Sequence, residues 1–493
     1  GSQEISETAA LSLGILANDA SVELLTDLLN DSPAGRRAVG KNEVDFRRRA
    51  FAAYGLALIG NKTASEEVRQ SIVGTLAEVL DSSQSSTRDI KVACLIGLGL
   101  VPLSTIDAPA NPDESVLPPN ASRMAQIEYI RTYFLDYKKN HHLVRAHAPS
   151  ALVRLLDGLP DDRLATLKST IAKDLLVTIG KRTNTKSKSE IQQSAVLALG
   201  QIGDCDEDEI DQEIRETLAG VAKVISDQQV RFFSKIALGQ VGGRTGTNGD
   251  SAAGRKEVSS ALQKSLANGN SAGRWAGIGM GVMGRMMANA NETAPSELSR
   301  ALRSELDKAK SPDDVGALCI ATGMMGDIEA KEVLLEKLDR VTQDEPRGYA
   351  AVALGLMGTR DAIAPIKEIV LESKYRPELL KQAAIALGLL GDKALVPELT
   401  EMLKDAKSLA TQASISSALG FIGDRRSIDP LIEMLGDDSL TGSARGFAAV
   451  ALGIVADKEN LPWNSKIAVD INYRASTVTL NSANAGTGVL NIL

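Results

Sequence analysis

The sequence is poor in aromatic residues and has no excess of positive charge. Aromatic residues make up 3% of the 493 residues, so Ala, Leu, Ile, Val and Gly must fill any core. Small and aliphatic side chains suit helices that pack at short distances. The formal net charge is -8. This argues against general binding to nucleic acid, because a basic surface normally supplies most of that affinity.

Disulfides, membrane spans and familiar catalytic motifs are also lacking. The three cysteines, Cys94, Cys205 and Cys319, are odd in number and far apart, so no disulfide framework is implied. No run of about 18 apolar residues occurs, and we predict no membrane-spanning helix. The sequence has no Gly-x-Ser-x-Gly elbow, HExxH helix or Cys/His pair at catalytic spacing. We therefore predict no catalytic residues and no cofactor.

Two motifs resemble ligand sites without the surroundings that such sites need. His141, His142 and His147 are offset by one, five and six residues, which puts them on different faces of a helix. A helical zinc site needs an i, i+4 pair instead. The glycines of Gly279–Gly284 match the dinucleotide fingerprint, but no strand precedes them. The sequence therefore predicts neither a zinc site nor a nucleotide site.

A third motif imitates the start of a calcium-binding loop. Asp204, Asp206 and Asp208 have the required spacing, but Glu209 replaces the glycine of such loops. Arg215 stands where the bidentate carboxylate should be. An acidic helix start, which is favourable to the helix dipole, explains the run better, so no metal site is predicted.

What the sequence does contain is one short motif, Ala383–Asp392, that recurs along the chain. Its copies align on one small residue, from here on the repeat position. A period of roughly 30 to 45 residues is typical of stacked arrays of helix pairs. The long gap between Gly99 and Gly200 hides one divergent unit, which gives twelve second helices. The aligned residues are Gly14, Ala57, Gly99, Gly200, Gly239, Gly281, Gly323, Gly355, Gly388, Gly420 and Gly453.

Each unit contains an amphipathic first helix and a second helix that carries the repeat position. Aspartates directly after several second helices, such as Asp392, are placed to cap the element that follows. We predict an all-α protein, a right-handed α-solenoid of about twelve helix pairs over residues 3–460, with an irregular insertion at 102–122. The first copy, Glu4–Ala17, already reads as a second helix, so we expect the array to begin earlier in the natural protein.

The pattern changes near the C-terminus. Ile467, Val469, Ile471 and Tyr473 alternate with polar residues, which is strand periodicity. We predict a small β extension at 461–493, anchored by Trp463, that covers the apolar end of the solenoid.

The repeated motif resembles HEAT repeats, in particular the short variety named after phycobilisome lyases. The clearest copies are Gln193–Asp204, Gly348–Gly358, Lys381–Asp392 and Ser416–Asp424, and the resemblance extends over residues 4–457. It implies the solenoid fold. Proteins with such repeats include adaptors, scaffolds, chromophore lyases and occasional metalloenzymes. One of these enzymes, deoxyhypusine hydroxylase, is recognised by His-Glu pairs, and this chain has no such pair.

A row of long polar residues lies eight positions before the repeat position, or seven positions before it in two repeats. Because equal offsets give equal orientations, we expect these side chains to form a stripe along the concave wall. Two interpretations remain open: the side chains hold adjacent units together, or they bind an acidic peptide or protein. This row, from here on the ladder, comprises Arg49, Lys91, Gln192, Arg231, Arg347, Gln412 and Arg445, with Arg274 and Lys381 one residue later.

The leading functional prediction is a non-catalytic repeat scaffold or adaptor whose concave groove binds another protein. Alternatives are a lyase-like or ligand-handling enzyme, and a nucleic-acid binder that would use the ladder on phosphates. The predicted partner-binding residues are the charged members of the ladder, Arg49, Lys91, Arg231, Arg274, Arg347, Lys381 and Arg445.

Overall fold

The computed structural model describes residues 3–82, 87–105, 117–179, 188–269, 271–373 and 375–456. All regular structure in these ranges is helical, which confirms the predicted all-α class. Short 3-10 helices at Asp19–Ser21, Ile328–Ala330, Arg360–Ala362 and Arg425–Ser427 precede α2, α18, α20 and α24. The α-helices are α1 (Gln3–Leu16), α2 (Val22–Leu29), α3 (Pro33–Val39), α4 (Phe46–Lys62), α5 (Glu66–Asp81), α6 (Arg88–Leu100), α7 (Arg123–Leu135), α8 (His142–Arg145), α9 (Ala148–Leu156), α10 (Asp161–Ile179), α11 (Ser189–Ile202), α12 (Glu209–Val224), α13 (Gln228–Gly242), α14 (Arg255–Leu266), α15 (Ser271–Asn289), α16 (Ser296–Lys308), α17 (Pro312–Met325), α18 (Lys331–Arg340), α19 (Asp344–Leu356), α20 (Ile363–Glu372), α21 (Pro377–Leu389), α22 (Val396–Asp405), α23 (Leu409–Ile422), α24 (Ile428–Gly436) and α25 (Gly442–Ala456).

The helices belong to two compact units. The first contains the chain up to Ile202 together with Glu216–Val230, and the second contains Gly203–Arg215 and the chain from Arg231 onward. In the second unit, each first helix packs on the second helix that follows it, as in α18 with α19. The second helices α15, α17, α19, α21, α23 and α25 also pack directly on one another in sequence. This is the helix-pair stacking of an α-solenoid, as predicted.

The second helices approach each other closely at the repeat glycines. A Cβ atom at Gly281 would lie 2.5 Å from the carbonyl oxygen of Ala321, and one at Gly323 would lie 2.6 Å from the Cα of Ala353. Real Cβ atoms do not tolerate such distances, so glycine is needed because a backbone lies against it. The repeat glycine is thus the contact point between consecutive repeats.

The same contact reveals the register of the divergent unit. A Cβ at Gly281 would contact Ala321, which lies two residues before the next repeat position. A Cβ at Gly99 would contact Ala151 of α9 in the same way, 2.4 Å from the Cα of Ala151. The repeat position of α9 is therefore Val153. The predicted twelve second helices are confirmed within the described residues as α1, α4, α6, α9, α11, α13, α15, α17, α19, α21, α23 and α25.

Aspartates cap the turns between repeats, as expected. The side chains of Asp327, Asp392 and Asp424 each accept a hydrogen bond from the amide two residues later, at 3.3, 3.1 and 2.8 Å. Two of them also pair with a basic residue of the preceding first helix, Asp327 with Arg303 at 2.9 Å and Asp392 with Lys367 at 3.0 Å. Each turn is thereby tied to the repeat before it.

Some predictions concern residues that the structure does not describe. The β extension at 461–493 and its anchor Trp463 lie outside the described residues, as does most of the insertion at 102–122. Among the described helices, none is both long enough and apolar enough to cross a membrane.

The glycine contact can be tested with two alanine substitutions. We expect Gly281→Ala to lower the free energy of unfolding by about 1–3 kcal/mol, because the added methyl group must push α17 away. Gly220→Ala is the control, since a Cβ there meets no atom of the described residues within 4 Å and α12 should gain up to about 1 kcal/mol. Denaturant unfolding followed by circular dichroism measures both. A Gly281→Ala variant as stable as the unchanged protein would contradict the assignment.

Candidate functional site

The ladder lies at the edge where first helices end and second helices begin. Several of its side chains reach back to the C-terminal carbonyl groups of the first helix in their own repeat. Those carbonyls have no partner within the helix, and a cation there also favours the helix dipole. Three arginines donate through Nε: Arg49 to the carbonyl of Leu29 at 2.8 Å, Arg347 to that of Leu338 at 2.9 Å, and Arg445 to that of Leu435 at 2.7 Å.

Glutamines and one overlooked arginine make the same contact. Gln412 donates to the carbonyl of Ala406 at 3.0 Å, and Gln192 donates to that of Thr178 at 3.4 Å. Arg145, eight residues before Val153, donates through Nε to the carbonyl of Phe134 at 2.6 Å. Sequence reasoning missed Arg145 because its repeat has no glycine on which to align it, and only the packing of Gly99 on α9 gives that register.

The remaining members of the ladder behave differently from one another. Arg274 points to the next repeat, where Nε and Nη1 lie 2.7 Å from carboxylate oxygens of Asp313 and Asp314. Lys381 pairs within its own helix with Glu378, at 2.7 Å. Arg231 is half-buried near the start of α13.

Lys91 is the exception in the ladder. Its side chain makes no hydrogen bond or salt bridge within the part of the chain that the structure describes. The contacts therefore support a structural role at the capping members, and the partner-binding role of the ladder stays a prediction.

Two grooves open along the same edge of the second unit. Groove 1, of about 300 Å³, is lined by Arg274, Glu305, Lys308, Lys310, Ser311 and Asp314. Groove 2, of about 280 Å³, is lined by Leu403, Lys404, Gln412, Glu433, Met434 and Asp437. Each groove lies between the turns of two consecutive repeats and contains one ladder residue, so the two occupy equivalent places. Their linings carry both signs of charge.

Carboxylates also accumulate at this edge. Asp313, Glu345 and Glu378 lie in the first turns of α17, α19 and α21, where a negative charge favours the helix dipole. Burial raises the pKa of Glu345 above its ordinary value, and the neighbouring Asp313 raises it further, while a hydrogen bond from Tyr349 acts in the opposite direction. The ladder is therefore not a purely basic stripe.

The acidic run at 204–208 forms a clamp for a loop. Asp204, Asp206 and Asp211 are buried, and one oxygen from each lies within 4.8 Å of the others. Nη1 of Arg215 donates to the backbone carbonyls of Asp204 and Asp206, which puts a guanidinium beside the carboxylates. The loop joins α13 to α14. The Asp206 carboxylate holds this loop by accepting from the amides of Thr247 and Asn248, and it also accepts from that of Asp208.

The other two motifs also have structural partners. Residues Gly279–Gly284 lie inside α15, where a Cβ at Gly279 would lie 2.3 Å from the carbonyl oxygen of Lys235 in α13. This close packing leaves no phosphate-binding loop there. His141 and His142 stack with ring centroids 4.4 Å apart, and Nδ1 of His141 accepts from the amide of Leu143 at the start of α8.

Comparison with known families identifies part of this stack. A model of HEAT repeats matches residues 370–453, and a model of PBS lyase HEAT-like repeats matches residues 346–372. The protein contains HEAT repeats. The resemblance inferred from the recurring motif is confirmed there, and these HEAT repeats include ladder residues Arg347, Lys381, Gln412 and Arg445. No curated protein matches the chain.

Solved structures give more distant similarities. The chain is similar to an engineered protein at 19% identity, covering 89% of this chain and 99% of that one, with a TM-score of 0.27. It is also similar to Kap121p bound to Ste12p, at 13% identity with a TM-score of 0.39, covering 89% of this chain and 54% of that one. A further structure of Kap121p matches at 14% identity and a TM-score of 0.39, with 88% and 54% covered. The chain thus spans about half the length of Kap121p.

The capping role of the ladder predicts a loss of stability on truncation. We expect Arg347→Ala to lower the free energy of unfolding by about 1 kcal/mol, because the carbonyl of Leu338 loses its donor. Arg360→Ala, at an exposed arginine in the same unit whose side chain makes no hydrogen bond or salt bridge to described residues, should change it by less than about 0.5 kcal/mol. Denaturant titration compares the two, and equal effects would show that the cap contributes nothing.

The environment of Glu345 predicts a dependence on pH. Because the folded-state pKa of Glu345 is raised, its ionisation destabilises the fold as pH rises above the unfolded-state value near 4.3. We expect Glu345→Gln to raise the melting temperature at pH 7 and to raise it much less at pH 4, where the carboxyl is mainly protonated in both states. Glu372→Gln, at an exposed residue of α20, is the control. A gain that is the same at both pH values would contradict this explanation.

Proposed function

We propose that the protein is a non-catalytic scaffold that binds an extended segment of another protein along the ladder edge. The observation that carries the proposal is the recurrence of the same polar groove at equivalent places, next to Arg274 in groove 1 and Gln412 in groove 2. HEAT-type solenoids present extended surfaces of this kind. A surface that repeats with the fold suits a partner that is itself extended.

The dimensions support several weak contacts instead of one deep pocket. Grooves of about 300 Å³ are at the lower limit of ligand sites, large enough for one or two side chains. Stacked helix pairs are roughly 10 Å apart, so an extended chain of a few residues spans one repeat. Affinity then arises from simultaneous engagement at several repeats.

The ladder can cap helices and still contact a partner. A guanidinium has five N–H donors, and the carbonyl of Leu435 uses only the Nε of Arg445. The Arg445 side chain is 38% exposed, and its Nη1 pairs with the exposed Asp438. We propose that the charged ladder residues contact the partner in addition to their contacts within the protein. These residues are Arg49, Lys91, Arg231, Arg274, Arg347, Lys381 and Arg445.

The charged residues that line groove 1 indicate which side chains of the partner fit there. Lys308 and Lys310 lie beside Arg274 there, and Lys310 has no salt bridge with described residues. Acidic side chains of the partner therefore fit groove 1, whereas Glu433 and Asp437 favour a basic or neutral residue at groove 2. Nucleic acid is a poorer ligand, because the carboxylates at the starts of α17, α19 and α21 would repel its phosphates.

The test uses a defined probe, a display library of random peptides of about twelve residues, which can span several repeats. We expect selected peptides to bind with micromolar dissociation constants and a moderate dependence on salt. Ala309→Trp fills groove 1 without touching a ladder hydrogen bond and should weaken binding about tenfold or more. Fluorescence anisotropy of the labelled peptides measures this.

Ala288→Trp is the matched control, because Ala288 is exposed near the end of α15 and does not line either groove. It should leave the affinity unchanged. Failure to select any peptide, or equal binding by both tryptophan variants, argues against the proposal. A steep fall of affinity with salt for an oligonucleotide probe would favour the nucleic-acid alternative.

A further inference from the structure

The last second helix, α25, exposes a position that α15, α17, α19 and α21 bury. Three residues before the repeat glycine lie Ile278, Ile320, Val352 and Ile385 in α15, α17, α19 and α21, each at most 3% exposed. In α25 the equivalent residue is Val450, which is 62% exposed. In each of those four helices, this side receives the next repeat. In α25 the same side is apolar and is not covered by described residues.

Two further positions, the repeat glycine of α25 and a residue of its first helix α24, lead to the same conclusion. A Cβ at Gly453 would meet no described atom within 4 Å, whereas one at Gly388 would lie 2.7 Å from the carbonyl oxygen of Phe421. Ile432, the fifth residue of α24, is 53% exposed, whereas Thr400 at the same place in α22 is 9% exposed. These residues, with the exposed Gly446 and Ala449, form an end face.

We propose that residues 457–493 of the same chain dock on this end face. They follow directly after Ala456, the last residue of α25, so the segment begins beside the surface that it would cover. Their sequence supplies an apolar side in Ile467, Val469, Ile471 and Tyr473. The small residues Gly446, Ala449 and Gly453 let a backbone approach as closely as the second helices approach one another.

Covalent linkage favours this occupant over a second copy of the protein. A tethered segment reaches its site at an effective concentration of the order of millimolar, well above the micromolar concentration of free protein in a typical experiment. The terminal repeat of a solenoid must also present a covered or polar outer side to stay soluble. The docked segment meets that requirement independently of any partner on the ladder edge.

Cysteine labelling of the full chain tests the proposal. The three native cysteines are buried, and burial raises the pKa of Cys94 and Cys319 to about 12 and that of Cys205 to about 11, so they react slowly with thiol reagents. The labelling rate of Val450→Cys reports whether the end face is accessible to the reagent. Ile328→Cys, on a 3-10 helix at a side chain that is 79% exposed, supplies the rate of an open site.

We expect Val450→Cys to label about tenfold or more slowly than Ile328→Cys, since opening of the docked segment must precede reaction. Adding Val469→Asp and Ile471→Asp should restore the open rate. The matched pair Lys466→Asp and Asn472→Asp, on the polar side of the alternation, should leave the protection intact. Mass spectrometry follows the added reagent.

Three results would overturn the proposal. One is labelling of Val450→Cys as fast as that of Ile328→Cys. Another is protection that survives the aspartates at 469 and 471. The third is protection that disappears on about hundredfold dilution, which would identify a second copy as the occupant. Labelling of Cys319 checks that the variants remain folded. If the aspartate variants do not fold, the labelling rate of Val450→Cys in the otherwise unchanged chain and its dilution series test the proposal instead.

Discussion

The close approach of consecutive second helices at the repeat glycine is the constraint on which the rest of the structure depends. Gly281 and Gly323 allow the backbones of the next helices, at Ala321 and Ala353, to come within distances that any side chain would prevent. The second helices can therefore bury Ala, Val and Ile almost completely with few aromatic residues. This is why a chain with so few aromatics can still bury an apolar core within each unit.

That packing also decides where polar chemistry is placed. The second helices are buried along most of their length, and the ladder side chains lie near their starts, beside the C-termini of the first helices. There Arg347 and Arg445 meet carbonyl groups that need donors. The same edge carries the acidic first turns and the two grooves, so the surface proposed for partner binding is of mixed charge and is partly used to hold each repeat together.

The site was harder to predict than the fold, and particular residues show why. Arg145 belongs to the row of capping residues although no glycine marks its repeat, and Asp211 joins Asp204 and Asp206 although the spacing had suggested Asp208. Asp211 is brought in by the start of α12, and Arg145 by the packing of α9 on α6. Equal offsets in sequence gave equal backbone positions, but the contacts of each side chain depended on its neighbours, as the forward reach of Arg274 to Asp313 illustrates.

The sequence by itself determined the all-α class, the twelve second helices, the capping aspartates and the HEAT-type repeat, because these follow from local periodicity and from glycine at a fixed interval. Only the tertiary structure decided the register of the divergent unit, the role of Arg49, Arg347 and Arg445 as caps, and the location of the grooves. The reason is physical. Helix formation depends on residues a few positions apart in the sequence, whereas a cap, a groove or an exposed Val450 depends on which helix lies beside it.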